Sequence, residues 1–180
     1  MDEFTARIKI TPAISAFLKN HAASLKMLPK PLESYWKPKG VGLRDFPPGQ
    51  KAIRIRIFPD TSKIAVVEEL NTLLENGSYT NSRIKLFEGI LTESEFFLNN
   101  KGYEKWAENH LVSIEYQLKL ADGATIKALE EEIDGKKTFV KFEAENEKDI
   151  EEAVGAMGLT KKDLIFANRA ELLAKQMGLL

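Results

Sequence analysis

The sequence predicts an α+β fold: a largely antiparallel β-barrel of about eight strands, flanked by helices. Three observations lead there. Several short segments alternate apolar and charged side chains with period two, the pattern of strands buried on one face. Asp122-Gly123 and Asp134-Gly135 separate consecutive alternating segments, a strong signal for tight hairpins. Helical spacing with capping residues occurs between and after these segments.

Residues 4–10 set Phe4, Ala6, Ile8 and Ile10 against Thr5, Arg7 and Lys9. Thr11-Pro12 then opens a helix, the threonine as cap and the proline in the first turn. Ile14, Phe17, Leu18, Ala22 and Leu25 carry it on at helical spacing. Residues 28–50 hold Pro29, Pro31, Pro38, Pro47 and Pro48 among Gly40, Gly42 and Gly49. They read mostly as loop, with a short edge strand at Ser34-Tyr35-Trp36. Residues 52–58, AIRIRIF, are the cleanest strand, with Ile53, Ile55 and Ile57 opposite Arg54 and Arg56. A turn at Pro59-Asp60 returns the chain through 63–70, and EELNTLLEN is open to a short helix. Asn76-Gly77 marks another turn. Ser82 to Phe87 places Arg83 and Lys85 opposite Ile84 and Leu86. Thr92 to Asn99 reads as a helix with Thr92 and Glu95 as a capping box, ended by Gly102. Residues 111–120, 124–132 and 138–144 form the two Asp-Gly hairpins. The end is helical over 147–157 and again from Thr160 to about Met177, with Asp163 completing the Thr160 cap. Neither flank of the 28–50 stretch could build a core alone, so residues 1–180 read as a single domain.

Composition excludes several classes of function. The chain has no cysteine, so disulfides, zinc-thiolate sites and thiol catalysis are out, and two histidines cannot make a histidine-rich metal centre. Lys plus Arg number 26 and Asp plus Glu 27, a balance unlike that of a general nucleic-acid binder. The opening MDEFTARIKI lacks the apolar stretch of a secretory signal. No apolar run nears the roughly 20 residues that span a bilayer. The expectations are a cytoplasmic location and neither a nucleic-acid nor a membrane partner; the oligomeric state is open.

The charged strand faces admit two readings. One is a sheet with one face in water. The other is a barrel, apolar outside beneath the helices and polar inside. Arg54-x-Arg56, Arg83-x-Lys85 and Arg7-x-Lys9 are basic pairs on three strands, and guanidiniums hold phosphate oxygens by paired hydrogen bonds. Glu3, Glu68, Glu115, Glu131 and Glu143 are the carboxylates nearby, and a divalent cation bridges carboxylate to phosphate. Glu3, Glu131 and Glu143 are candidate ligands of such an ion, or surface charges. His21, His110, Trp36 and Trp106 read as structural residues. Neither a nucleophile motif nor a phosphate-binding glycine loop is present.

Two stretches, RDFPPGQKAIRIRIF and ADGATIKALEEEIDGKKTFVKFEAENEKDIEEAVGAMGLTKKDLIFANRAELL, resemble the CYTH family of triphosphate tunnel metalloenzymes. That family includes class IV adenylyl cyclases, thiamine triphosphatases and inorganic triphosphatases. The resemblance implies an eight-stranded tunnel that binds a triphosphate or another phosphorylated ligand and can hydrolyse it with Mg2+ or Mn2+. Arg54, Arg56, Arg83, Glu131 and Glu143 are the positions that fit it; together with the strand-face pairs they make Arg7, Arg54, Arg56, Arg83 and Lys85 the candidates for phosphate binding, Glu3, Glu131 and Glu143 for the metal, and Arg54, Arg56 and Glu143 for catalysis. The chain also departs from the pattern. The family opens with Glu-x-Glu-x-Lys where this chain has Glu3-x-Thr5-x-Arg7. Lys141 stands where the first of two closing glutamates is expected, no basic residue lies near Leu111 to Glu115, and a late tyrosine is replaced around Ala170. A lysine in a metal cage is costly: two like unit charges at about 4 Å and an effective dielectric near 20 repel by roughly 4 kcal/mol. Weak metal binding is the expectation. Three functions remain open: a triphosphatase, a module that binds a phosphorylated ligand without turning it over, and a structural domain.

Overall fold

The computed structural model describes residues 3–28, 32–58, 63–73 and 79–180; the side chains of Glu3, Phe58, Leu73 and Tyr79 lie outside that description. The elements run β1 Glu3–Lys9, α1 Pro12–His21, β2 Ala22–Leu28, β3 Leu32–Pro38, β4 Lys51–Phe58, β5 Lys63–Leu73 and β6 Tyr79–Gly89. Then come α2 Leu91–Asn100, β7 Tyr103–Lys119, β8 Thr125–Ile133, β9 Lys136–Ala144, α3 Glu147–Ala156 and α4 Arg169–Gln176, with a 3-10 turn at Lys161–Asp163. The strand order is β2-β7-β3-β4-β5-β6-β1-β9-β8, and β8 pairs back onto β7. Eight strands therefore close on themselves, and β2 adds to β7 as a ninth. The fold is α+β, a closed antiparallel eight-stranded barrel with flanking helices, as the alternation and hairpin signals predict. Among the described residues no helix is long and apolar enough to cross a membrane.

The chain forms two compact units. The first comprises Met1–Pro29, Leu73–Asn81 and Leu111–Phe166. Its core gathers one face of each strand: Ala6 and Ile8, Tyr116 and Leu118, Ile126 and Ala128, Val140 and Phe142. Ile14 and Leu18 from α1 and Ile150 and Val154 from α3 close over them. Leu18 is fully buried, and a leucine so placed contributes about 1.5–3 kcal/mol. Period two forces Thr5, Arg7, Glu131, Lys141 and Glu143 onto the opposite face. The Asp134-Gly135 turn has φ of 49° and 82°, the doubly positive pair that a two-residue hairpin needs.

The second unit comprises Lys30–Thr72, Ser82–His110 and Ala167–Leu180. Trp36, Ile53, Ile55, Val66 and Leu98 pack together on one side. Tyr35, Ala52, Ala107 and Ala170 form a second cluster. Since Ile53 and Ile55 face the first cluster, Arg54 and Arg56 must face the other way.

Several local expectations are corrected. The helical spacing through Ala22 and Leu25 is misleading: α1 stops at His21, and Ala22–Leu28 is strand. Pairing with β7, where Leu25 meets Tyr116, supplies the backbone partners that a longer helix would have kept. Ser34-Tyr35-Trp36 belongs to an interior strand, because β3 pairs with β4 on one side and β7 on the other. EELNTLLEN is strand as far as Leu73. The carboxylate capping α2 is Glu93, accepting from the Ile90 backbone N–H at 3.2 Å, in place of Glu95. The last helix is broken: beyond the turn at Lys161–Asp163, Ile165 bridges to Arg7 before α4 begins. The turns expected at Pro59-Asp60 and Asn76-Gly77 lie outside the described residues.

Candidate functional site

In the second unit, β3, β4 and β7 bring their polar positions side by side. The register sets Glu33 opposite Arg56 on one flank and Asn109 on the other, with Tyr35 opposite Arg54. On β5, Glu69 lies opposite Ala52 and so shares the face of Arg54. Glu33 is fully buried, and its Oε2 is the centre of the cluster. Tyr35 donates its hydroxyl to that oxygen at 2.9 Å. Arg169 Nη1 donates to it at 2.7 Å, and Arg54 Nη1 stands at 3.5 Å. Arg54 Nη2 contacts Glu69 Oε2 at 2.6 Å. Arg56 Nε is 3.8 Å from Glu33 Oε1, and Arg83 Nε is 4.0 Å from Glu69 Oε2. Both side chains keep about a third of their surface exposed (32% and 38%), so a solute can reach them.

Arg169 reaches the cluster because α4 is pinned at its start. Asn168 caps the helix by accepting from the Glu171 N–H at 2.8 Å, and its amide donates to the Pro48 carbonyl at 2.5 Å. The cap fixes the first helical residue, Arg169, toward Glu33.

Four guanidiniums, those of Arg54, Arg56, Arg83 and Arg169, lie within 4.0 Å of Glu33 or Glu69. Burial pushes the Glu33 carboxyl up, but Arg169, Arg54 and Arg56 outweigh it and hold that group well below the usual carboxylate range. Burial and the Glu33 charge push the Tyr35 phenol up, so it stays a hydrogen-bond donor. Burial, then repulsion from Arg54, lowers Arg56. Its charged form is therefore under electrostatic pressure that an added anion would relieve. Asn109 is 1% exposed, and neither of its amide atoms has a hydrogen-bond partner among the described residues; the same holds for Arg54 Nε. Such buried groups are normally satisfied, so these are spare contacts beside the guanidiniums.

The first unit holds a separate set. Arg7 Nε donates to Glu131 Oε2 at 3.0 Å, with both side chains nearly inaccessible. Lys141 pairs with Glu143 two residues along β9. Glu131 lies opposite Phe139 on β9, so Glu143 is four residues further on, about 13 Å along the strand. The backbone of Glu3 belongs to β1, but its side chain lies outside the description.

Among the described side chains, Glu131 and Glu143 do not fit a Mg2+ or Mn2+ cage. Glu131 is already neutralised by Arg7 and Glu143 by Lys141, and a divalent ion would have to displace both fixed cations. Among the described residues no group of three histidine, aspartate or glutamate side chains is placed to hold a metal.

Of the candidates read from the sequence, Arg54, Arg56 and Arg83 meet in the second unit. Arg7, Glu131, Lys141 and Glu143 belong to the first. Lys85 is apart from either set, pairing at the surface with Glu88 at 2.5 Å. Glu68 pairs with Lys51 at 2.5 Å, and it is Glu69 that carries the carboxylate to Arg54. His21 stacks on Phe17 at 4.1 Å, and Trp36 is core, its indole N–H donating to Ser34. Sequence reasoning missed Glu33, Tyr35, Asn109 and Arg169. Alternation through Leu32-Glu33-Ser34-Tyr35-Trp36 could have placed Glu33 and Tyr35 on one face. Arg169 carries no such signal.

No family model matches the chain, and no curated protein matches it. Solved structures do. PH1819 from Pyrococcus horikoshii OT3 superposes with a TM-score of 0.62 at 16% identity, covering 97% of this chain and 99% of that one. A candidate adenylate cyclase from Vibrio parahaemolyticus gives 0.64 at 12% identity, covering 97% and 98%. HpAC1 from Hippeastrum, a candidate adenylyl cyclase with a dominant triphosphatase activity, gives 0.60 at 12% identity, covering 100% and 97%. At these identities the likeness establishes the fold.

Proposed function

We propose that this chain is a divergent CYTH-like protein that binds a triphosphate or another phosphorylated ligand through the arginines of its second unit. The observation that carries this is the gathering of four guanidiniums around Glu33 and Glu69. Like charges held together in a partly buried place need an opposite charge, and phosphate matches the planar fork of arginine. Arg54 and Arg169 are held by the carboxylates, while Arg56 and Arg83 present the accessible edge. The triphosphatase activity of HpAC1 is consistent with a phosphate chain as the ligand.

Binding without turnover is the reading we favour, because Glu131 and Glu143 are each engaged by a cation. Hydrolysis is the second reading, supported by the activity of that neighbour. In thermal unfolding at low salt, tripolyphosphate at about a hundred times its Kd should raise Tm by about 5–10 °C. Arg56→Ala should lose most of that rise. No rise in the wild type would refute the reading. Orthophosphate release above background with Mg2+ or Mn2+, abolished in Glu143→Ala, would establish hydrolysis instead.

A further inference from the structure

We infer that the second unit binds its phosphorylated ligand with arginine alone, and that a divalent cation weakens binding where a metal-bridged site would require one. The inference rests on the proposed phosphate reading and concerns what neutralises the ligand.

A bridging metal needs carboxylate oxygens that can turn toward it. Of the two carboxylates set among the guanidiniums, Glu33 and Glu69, each has its Oε2 engaged, and Glu33 Oε1, without a hydrogen-bond partner among the described residues, lies 3.8 Å from Arg56 Nε. Glu33 Oε2 receives Tyr35 at 2.9 Å and Arg169 at 2.7 Å, and Glu69 Oε2 receives Arg54 at 2.6 Å. A metal ligated by either would sit among four guanidiniums and repel each of them. The positive charge that a divalent ion would bring is already supplied by side chains covalently fixed in place. Arg169 brings one such charge from α4. Asn109, 1% exposed and register partner of Glu33, adds amide atoms without hydrogen-bond partners among the described residues. An amide N–H at that place can donate to a phosphate oxygen.

The chemistry has a consequence for added Mg2+. In solution it chelates polyphosphate and neutralises the charge that the guanidiniums read. Among the described residues no group of three acidic or histidine side chains is placed to receive the complex, so chelation competes with the protein.

The test is a calorimetric titration of the full chain with sodium tripolyphosphate, in EDTA and again in excess MgCl2. Saturable binding in EDTA, with Kd at least threefold weaker in Mg2+, is the expected result. Binding that appears only with Mg2+ overturns the inference while leaving the phosphate reading intact. No binding in either condition overturns both. In EDTA, Arg169→Gln should weaken binding tenfold or more. Arg83→Gln, at a half-exposed position that should fold normally, should weaken it at least threefold. Unchanged affinity in a folded Arg83→Gln protein would count against the arginine-only site.

Discussion

Glu33→Ala should cost about 3–5 kcal/mol of folding stability, the range for removing one partner from a buried ion pair. Glu33 is fully buried and receives Tyr35 and Arg169 directly, with Arg54 at 3.5 Å and Arg56 at 3.8 Å. Without it, three guanidiniums confront one another with little water to screen them. The pH dependence gives an independent check. The Glu33 pKa is depressed in the folded state, so its contribution is fully present above the ordinary glutamate value of about 4.3 and is lost as pH falls through the depressed value. The stability gap between wild type and Glu33→Ala, measured by urea unfolding, should be flat from pH 8 to pH 5. It should shrink as pH falls below 4. A gap that grew in acid would contradict the assignment. Inorganic phosphate should stabilise the variant more than the wild type, since an anion can take up part of the vacated charge.

The second large effect belongs to the first unit. Arg7 and Glu131 are 3% and 1% exposed and meet at 3.0 Å. Arg7→Leu removes a guanidinium from the buried Glu131 carboxylate and should also cost about 3–5 kcal/mol. The double variant Arg7→Leu with Glu131→Leu should recover most of that loss, since replacing both partners of a buried pair with apolar side chains is often close to neutral. A double-mutant cycle checks this. A coupling energy near zero would mean that the two residues do not depend on each other. The outcome bears on function as well, because a strongly coupled pair leaves neither Arg7 for phosphate nor Glu131 for metal.

Much of the barrel was legible. AIRIRIF could only be a strand with two arginines on one face, and both Asp-Gly turns fall where the chain reverses. Local signals failed where tertiary pairing overrode them. Ala22 and Leu25 keep helical spacing from α1 yet lie in a strand, because β7 offers a partner edge. Proline density hid β3, one of whose two neighbours in the sheet, β7, is distant in sequence. The site was legible only in part, for the same reason. Arg54 and Arg56 advertise themselves by alternation. Glu33 and Asn109 are brought together by register across 76 positions of sequence, and no local pattern encodes that. Glu68 and Glu69 are adjacent and chemically identical, so only the register decides which faces Arg54. Arg169 depends on a helix cap that positions it against Glu33.

The central claim is that phosphate is held by the arginines of the second unit. It is tested most directly by NMR of the arginine Nε–Hε groups during titration with tripolyphosphate in EDTA. The signals of Arg54, Arg56 and Arg83 should move saturably and together, while that of Arg7, bonded through Nε to Glu131, should stay in place. Movement of Arg7 with the others unchanged, or no movement at any of them, would contradict the account.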